Sequence, residues 1–180
     1  MTILIAGDSY STLEDFRSYI KANSWVTEWS PHYSWTEQLG KYYPVKCVGK
    51  QRASNWDILQ QLRDNLDYEF ALVNLTSWFR VSHRVPQHQV DALRADANQF
   101  NQVREQSKRL ASEIVKQPRC YVWSPFAVYE SWTEVDTIFL RDWDEQWNEQ
   151  CIPKVTGCHL TREGNDWMLN HMTSIIEESR

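Results

Sequence analysis

Residues 1–7 (Met-Thr-Ile-Leu-Ile-Ala-Gly) form a short apolar, β-branched run that ends in Gly7-Asp8-Ser9, the pattern of a buried strand running into a turn. Residues 13–20 hold helical pieces without a strong period. Trp35, Leu39, Tyr42 and Tyr43 then recur at helical spacing, and Pro44 stops that helix before a second short strand over residues 45–48. Ser54-Asn55-Trp56-Asp57 supplies a cap and an acidic residue three positions later, and Ile58, Leu59, Leu62 and Leu66 follow on one face, so a helix starts at Ser54. Phe-Ala-Leu-Val-Asn-Leu at 70–75 is continuous enough for a central parallel strand. Between 87 and 117, Val90, Leu93, Ala97, Phe100, Val103, Leu110 and Ile114 keep helical spacing, which predicts one long helix or two joined ones. Pro118 ends it, and Cys120-Tyr-Val-Trp123 reads as the fourth strand. Residues 125–153 are irregular and aromatic. Thr161 then caps a last helix whose inner face carries Trp167, Met168, His171, Met172, Ile175 and Ile176, with Glu163 and Asp166 in its favourable first turn.

Strands that alternate with helices predict an α/β fold: a three-layer sandwich around a central, mostly parallel sheet, with ligands bound beyond the carboxyl ends of the strands. No repeat, low-complexity tract or Gly/Ser linker interrupts residues 1–180, so a single domain is expected. With 19 Lys plus Arg against 24 Asp plus Glu, the formal net charge of −5 speaks against a nucleic-acid partner. No apolar run suits a membrane span or a signal-peptide core, and the expectation is a cytoplasmic protein. Cys47, Cys120, Cys151 and Cys158 are scattered without a Cys-x-x-Cys pair, which predicts reduced thiols rather than a zinc ribbon or disulfide framework. Neither a metal nor a cofactor is expected; Cys158 beside His159 lacks a second cluster of ligands.

A serine on the turn after the first strand stands at the carboxyl edge of such a sheet, and Ser9 has that position. Gly157-Cys158-His159-Leu160-Thr161 puts a histidine in the loop that leads into the last helix. A serine hydroxyl is a weak nucleophile until a base takes its proton, and histidine is the usual base.

These residues resemble those of the SGNH (GDSL-like) hydrolases. Gly7-Asp8-Ser9 matches the family's first block, and Thr156-Gly157-Cys158-His159 partly matches its last, Asp-x-x-His, with Leu160-Thr161-Arg162-Glu163-Gly164 as the usual continuation. The second block falls within residues 49–55, and the third, Gly-x-Asn-Asp, on Asn74-Leu75-Thr76-Ser77. The resemblance implies a flavodoxin-like SGNH hydrolase fold, Ser9 as nucleophile, His159 as base, and an oxyanion hole from the Ser9 N–H, Ala53 and Thr76. Asp8 and Asn55 would support the site, and Arg80 could bind an anionic group beside it. The chain departs from the family at three places. Thr156 stands where the aspartate would orient His159, leaving a Ser-His dyad; Thr76 replaces the oxyanion-hole asparagine; and Arg52 or Ala53 takes the place of the second-block glycine, without its conformational freedom. In these respects the chain resembles divergent SGNH-like proteins, including some encoded by bacteriophages, for which the compartment would be the host cytoplasm.

Ten tryptophans in 180 residues need an explanation, because indole is demanding to bury and unfavourable to expose. Trp25, Trp29, Trp35, Trp132, Trp143 and Trp147 fall in two segments, 23–36 and 131–147, expected to flank Ser9 and His159. Flat faces there, Trp29 and Trp143 foremost, suit a sugar ring, a nucleobase or an acyl chain; the plainer explanation is that these segments pack themselves with large side chains. Trp56, Trp78, Trp123 and Trp167 are assigned to the core, as is His171. The expected function is a serine ester hydrolase acting on a small-molecule or carbohydrate ester, with an O-acetyl carbohydrate the first candidate. The alternative is a binding protein on a decayed hydrolase scaffold that recognises a glycan or nucleotide through its Trp-rich loops. Oligomeric state is not legible.

Overall fold

A computed structural model of the chain describes residues 1–8, 11, 34–76, 80–82, 84–124 and 162–180. Four strands, β1 (Ile3–Ala6), β2 (Val45–Cys47), β3 (Phe70–Asn74) and β4 (Cys120–Trp123), form one sheet in the order β2-β1-β3-β4, and every neighbouring pair is parallel. Ile3 lies opposite both Val45 and Phe70, and Asn74 lies opposite Trp123, so β1 and β3 are the inner strands. Their near-continuous apolar character follows: a strand covered on both faces has no side to give to water.

Successive side chains on a strand point to opposite faces, and the two cores divide accordingly. Leu4, Ala6, Ala71, Val73 and Val122 pack on one face with Ile58, Leu59 and Leu62 of helix α2 (Asn55–Arg63) and Ala111 and Ile114 of helix α4 (Ala97–Val115). Ile3, Ile5, Leu72, Tyr121 and Trp123 pack on the other with Trp35 and Leu39 of helix α1 (Trp35–Leu39) and Met168, Met172 and Ile176 of helix α5 (Arg162–Glu178). The predicted three-layer α/β/α architecture is the observed one. Among the described residues no helix is long and apolar enough to cross a membrane.

The helix starts obey local chemistry. The Ser54 hydroxyl accepts from the Asp57 N–H while Asp57 Oδ2 accepts from the Ser54 N–H at 2.9 Å, the reciprocal box that the sequence signals. The ambiguous stretch resolves into two helices, α3 (Gln87–Ala95) and α4, because the Asp96 side chain accepts from the N–H groups of Asn98 and Gln99 and starts a second helix there. Two expectations fail at helix ends. α1 stops at Leu39 and α2 at Arg63, so Tyr42 and Leu66 do not continue their apolar faces and are 72% and 76% exposed. The helical pieces at 13–20, the irregular stretch at 125–153 and the Thr161 cap lie outside the described residues.

Candidate active site

After β2 the chain crosses back over β1 to lay down β3, so the strand order reverses between β1 and β3. Open α/β sheets bind ligands in the crevice beyond the carboxyl ends at this switch point. Three segments meet there: Gly7-Asp8 leaving β1, residues 49–55 leaving β2, and Asn74-Leu75-Thr76 ending β3.

Gly7 turns the chain out of the sheet at φ +149°, and a Cβ there would come within 2.8 Å of Asn74 Cβ and 2.9 Å of Ser11 Oγ. Close packing and conformation both call for glycine. The β2 loop is laced to this turn: the Val48 N–H donates to Ile5 O, the Lys50 N–H to Gly7 O at 3.1 Å, and the Cys47 thiol to Ser11 O at 3.0 Å. Gly49 passes so close to the Ser11 backbone that any side chain would collide with it.

Asp8 is fully buried, and both its ends are tied to the carboxyl end of β3 and the residues that follow it. Its N–H donates to Asn74 Oδ1 at 3.2 Å, and Oδ2 accepts from the Thr76 hydroxyl at 2.8 Å. Thr76 is in turn held by Asn55 at the start of α2. Asn55 Oδ1 accepts from the Thr76 N–H at 3.0 Å, and Nδ2 donates to Thr76 O at 3.2 Å and to the Ser107 hydroxyl at 2.9 Å. Gln61 makes the matching pair on the first loop: its Oε1 accepts from the Gly7 N–H at 2.8 Å and its Nε2 donates to Gly7 O at 3.2 Å. Burial of polar groups is tolerated because each of these finds partners. An outer layer braces α2: Asp57 accepts from Ser54 Oγ and Ser82 Oγ, with the Arg84 guanidinium 3.9 Å away.

The structure therefore brings Asp8, Asn55 and Thr76 together. Ala53 is buried beside them and its N–H donates to Lys50 O at 3.2 Å. Arg52 adopts φ 60°, a left-handed conformation that glycine takes without strain. Arg80 is partly buried in the segment after β3. Ser9, Thr156, His159, Trp29 and Trp143 lie outside the described residues, as do Trp25, Trp78, Trp132 and Trp147. Gln61 is the residue that sequence reasoning missed. It lies on the flank of the apolar arc of α2, next to Ile58 and one turn after Asp57, and its burial is not signalled by the apolar spacing.

Two tryptophan assignments change. Trp35, grouped with the ligand-facing segments, is buried against Trp123, with ring centroids 6.4 Å apart and planes at 71°. Trp56, assigned to the core, is 39% exposed because Asn55 and Asp57 on either side of it take the inward positions; the Arg84 guanidinium lies 5.5 Å from its ring. Trp123 is buried and Trp167 packs on the core, as expected. His171 is the half-buried core histidine that the periodicity implies. Its Nε2 lies 3.0 Å from Tyr121 Oη, its ring stacks on Trp167 at 5.0 Å, and burial holds its pKa below the ordinary imidazole value.

Neither a protein-family model nor a curated protein matches the chain. Among solved structures it is similar to a protein assigned to the G-D-S-L family of lipolytic proteins from Desulfitobacterium hafniense DCB-2, with 15% sequence identity, a TM-score of 0.44, and coverage of 97% of this chain and 98% of that one.

Proposed function

We propose that the chain is a serine ester hydrolase of SGNH type. Ser9 Oγ attacks the acyl carbonyl and its proton passes to His159; the protonated imidazole then gives that proton to the leaving alcohol, and water releases the acyl group by the same route. One observation carries the reading: Asp8, which immediately precedes Ser9, is fixed at the switch point by Asn74, the last residue of β3, and by Thr76 just beyond it. A nucleophile needs this kind of rigid support from regular elements. The oxyanion donors in this reading are the N–H groups of Ser9 and of the 49–55 loop. Within that loop we assign Arg52, since the Ala53 N–H already serves Lys50 O. Thr76 contributes by holding Asp8 rather than by a free hydroxyl. An O-acetylated carbohydrate is the first substrate class to test.

The test is covalent labelling with a fluorophosphonate together with a panel of acetyl esters, on the wild type, Ser9→Ala and His159→Ala. Labelling and turnover that vanish in Ser9→Ala are expected. Absence of both in the wild type overturns the reading. The engagement of the Thr76 hydroxyl and the Ala53 N–H favours a second reading, a binding protein on a decayed hydrolase scaffold. That protein would bind a glycan or nucleotide equally well as Ser9→Ala and lose it as Trp29→Ala or Trp143→Ala.

A further inference from the structure

We propose that Gln61 is a positioning residue for the nucleophile turn, an inference that rests on the hydrolase reading and adds to it the group that sets the attack geometry. β1 ends at Ala6, so the sheet no longer supplies partners for Gly7, yet Gly7 is buried and its backbone groups need them. Gln61 replaces the ladder. Its single amide plane takes both the N–H and the O of Gly7, which belong to the two peptide planes flanking that residue. The second of these planes, Gly7–Asp8, is thereby held at both ends: its oxygen by Gln61 Nε2 and the Lys50 N–H, and its N–H by Asn74 Oδ1. The next peptide in the chain leads into Ser9. Rotation of the Gly7–Asp8 plane would swing the serine, and Gln61 opposes that rotation from a helix packed into the core, where Ile58, Leu59 and Leu62 anchor it.

Asn55 makes the equivalent two-point clasp on Thr76. The same helix thus fixes, through two side-chain amides, the two loops between which an ester carbonyl would sit. A misplacement of about 1 Å can cost about a hundredfold in rate, so loss of this grip should show in the chemical step before it shows in substrate affinity.

The experiment uses the full chain carrying Gln61→Leu, Gln61→Glu or, as a core control of the same helix, Ile58→Val. Three quantities are read: the rate of Ser9 labelling by a fluorophosphonate, kcat and KM for p-nitrophenyl acetate, and the urea midpoint. Gln61→Leu is expected to lower labelling and kcat by about tenfold or more with KM within about threefold. Ile58→Val should lower the urea midpoint and leave kcat alone. Gln61→Glu supplies a further discriminator, because only the protonated acid can both accept from and donate to Gly7. Its kcat relative to wild type should rise as the pH falls through the titration of the introduced carboxyl. A wild type that labels and a Gln61→Leu that labels at the same rate, with only a lower urea midpoint, overturn the inference and leave the hydrolase reading standing. A flat Gln61→Glu to wild-type ratio across pH counts against it in the same way. A wild type that neither labels nor turns over overturns the hydrolase reading itself, and this inference with it.

Discussion

The two ends of the β-sheet are built from different materials. At the carboxyl end Asp8, Asn55, Gln61, Asn74 and Thr76 are buried, and hydrogen bonds between separate segments tie them together. At the amino end, where the α2–β3 connection lies, the pairs face water. The Met1 ammonium sits 3.2 Å from Glu69, and Lys46 Nζ 3.1 Å from Asp67 Oδ1, with both carboxylates largely exposed. Tyr68 reaches only half inside, its hydroxyl 3.7 Å from the Cys120 sulfur and its ring under the Arg119 guanidinium. Water offers the amino-end groups an alternative partner, so their pairs contribute little and specify little. The carboxyl-end groups have no such alternative, so each lost partner leaves a buried orphan and the geometry of the turn is over-determined.

The largest test of this contrast is Asn55→Leu. It removes both bonds to the Thr76 backbone and the one to Ser107, and at about 1–3 kcal/mol for each orphaned buried group the expected loss is roughly 3–5 kcal/mol, read from urea denaturation. A loss below about 1 kcal/mol would mean that water reaches this end as easily as the other. Next in size is Thr76→Val, which keeps the shape and removes the hydroxyl that serves Asp8. About 2 kcal/mol should disappear, and the Asp8 N–H, still on Asn74, should keep its hydrogen-exchange protection.

The same contrast explains what the sequence made legible. Strands β1, β3 and β4 were readable because each is a largely apolar run bounded by turn signals, and its partners are other apolar runs. The start of α2 was readable because Ser54 and Asp57 are only three residues apart and cap locally. The clasps were not. Gln61 and Gly7 are 54 residues apart, and nothing in a helix periodicity says that a glutamine on the flank of the apolar arc turns inward to hold a backbone. Trp56 illustrates the reverse error: its neighbours Asn55 and Asp57 look like surface residues, yet they occupy the inward positions and leave the indole at 39% exposure. Polarity alone does not tell a solvated side chain from one that is buried and paired. Of the candidate site, Asp8, Asn74 and Thr76 are found together at the carboxyl end of the sheet, while Ser9 and His159 remain proposals.

A smaller effect of opposite sign is expected at Arg52. A side chain at φ 60° carries backbone strain that glycine does not, so Arg52→Gly should raise the stability by about 0.5–1 kcal/mol, although glycine usually lowers it elsewhere. The measured sign decides whether the loop is held in that conformation by its neighbours or adopts it freely. At the amino end, burial and the bond to the Cys120 thiol push the Tyr68 hydroxyl from its ordinary 10.0 up to about 12. The folded protein therefore keeps this proton longer than the unfolded chain does. Its contribution to stability is complete below pH 10 and fades between pH 10 and about 12, and a spectrophotometric titration should find a late-titrating component that Tyr68→Phe abolishes.

The smallest expected effect is the most direct check on the amino end. The Asp67 carboxyl lies below its ordinary pKa chiefly because it accepts from the Lys46 ammonium, yet it is largely exposed. In Lys46→Met the carboxyl should return toward its ordinary value, which NMR titration of that side chain would follow, while the thermal midpoint stays within experimental error at any salt concentration. The pair would then be visible in titration and nearly absent from stability. Folded and unfolded chains both hydrate the two charges, and holding two flexible side chains together offsets most of the Coulomb gain. A fall in midpoint as large as that of Thr76→Val would erase the distinction between the two ends, because it would show an exposed ion pair specifying the fold as strongly as a buried hydroxyl on a carboxylate.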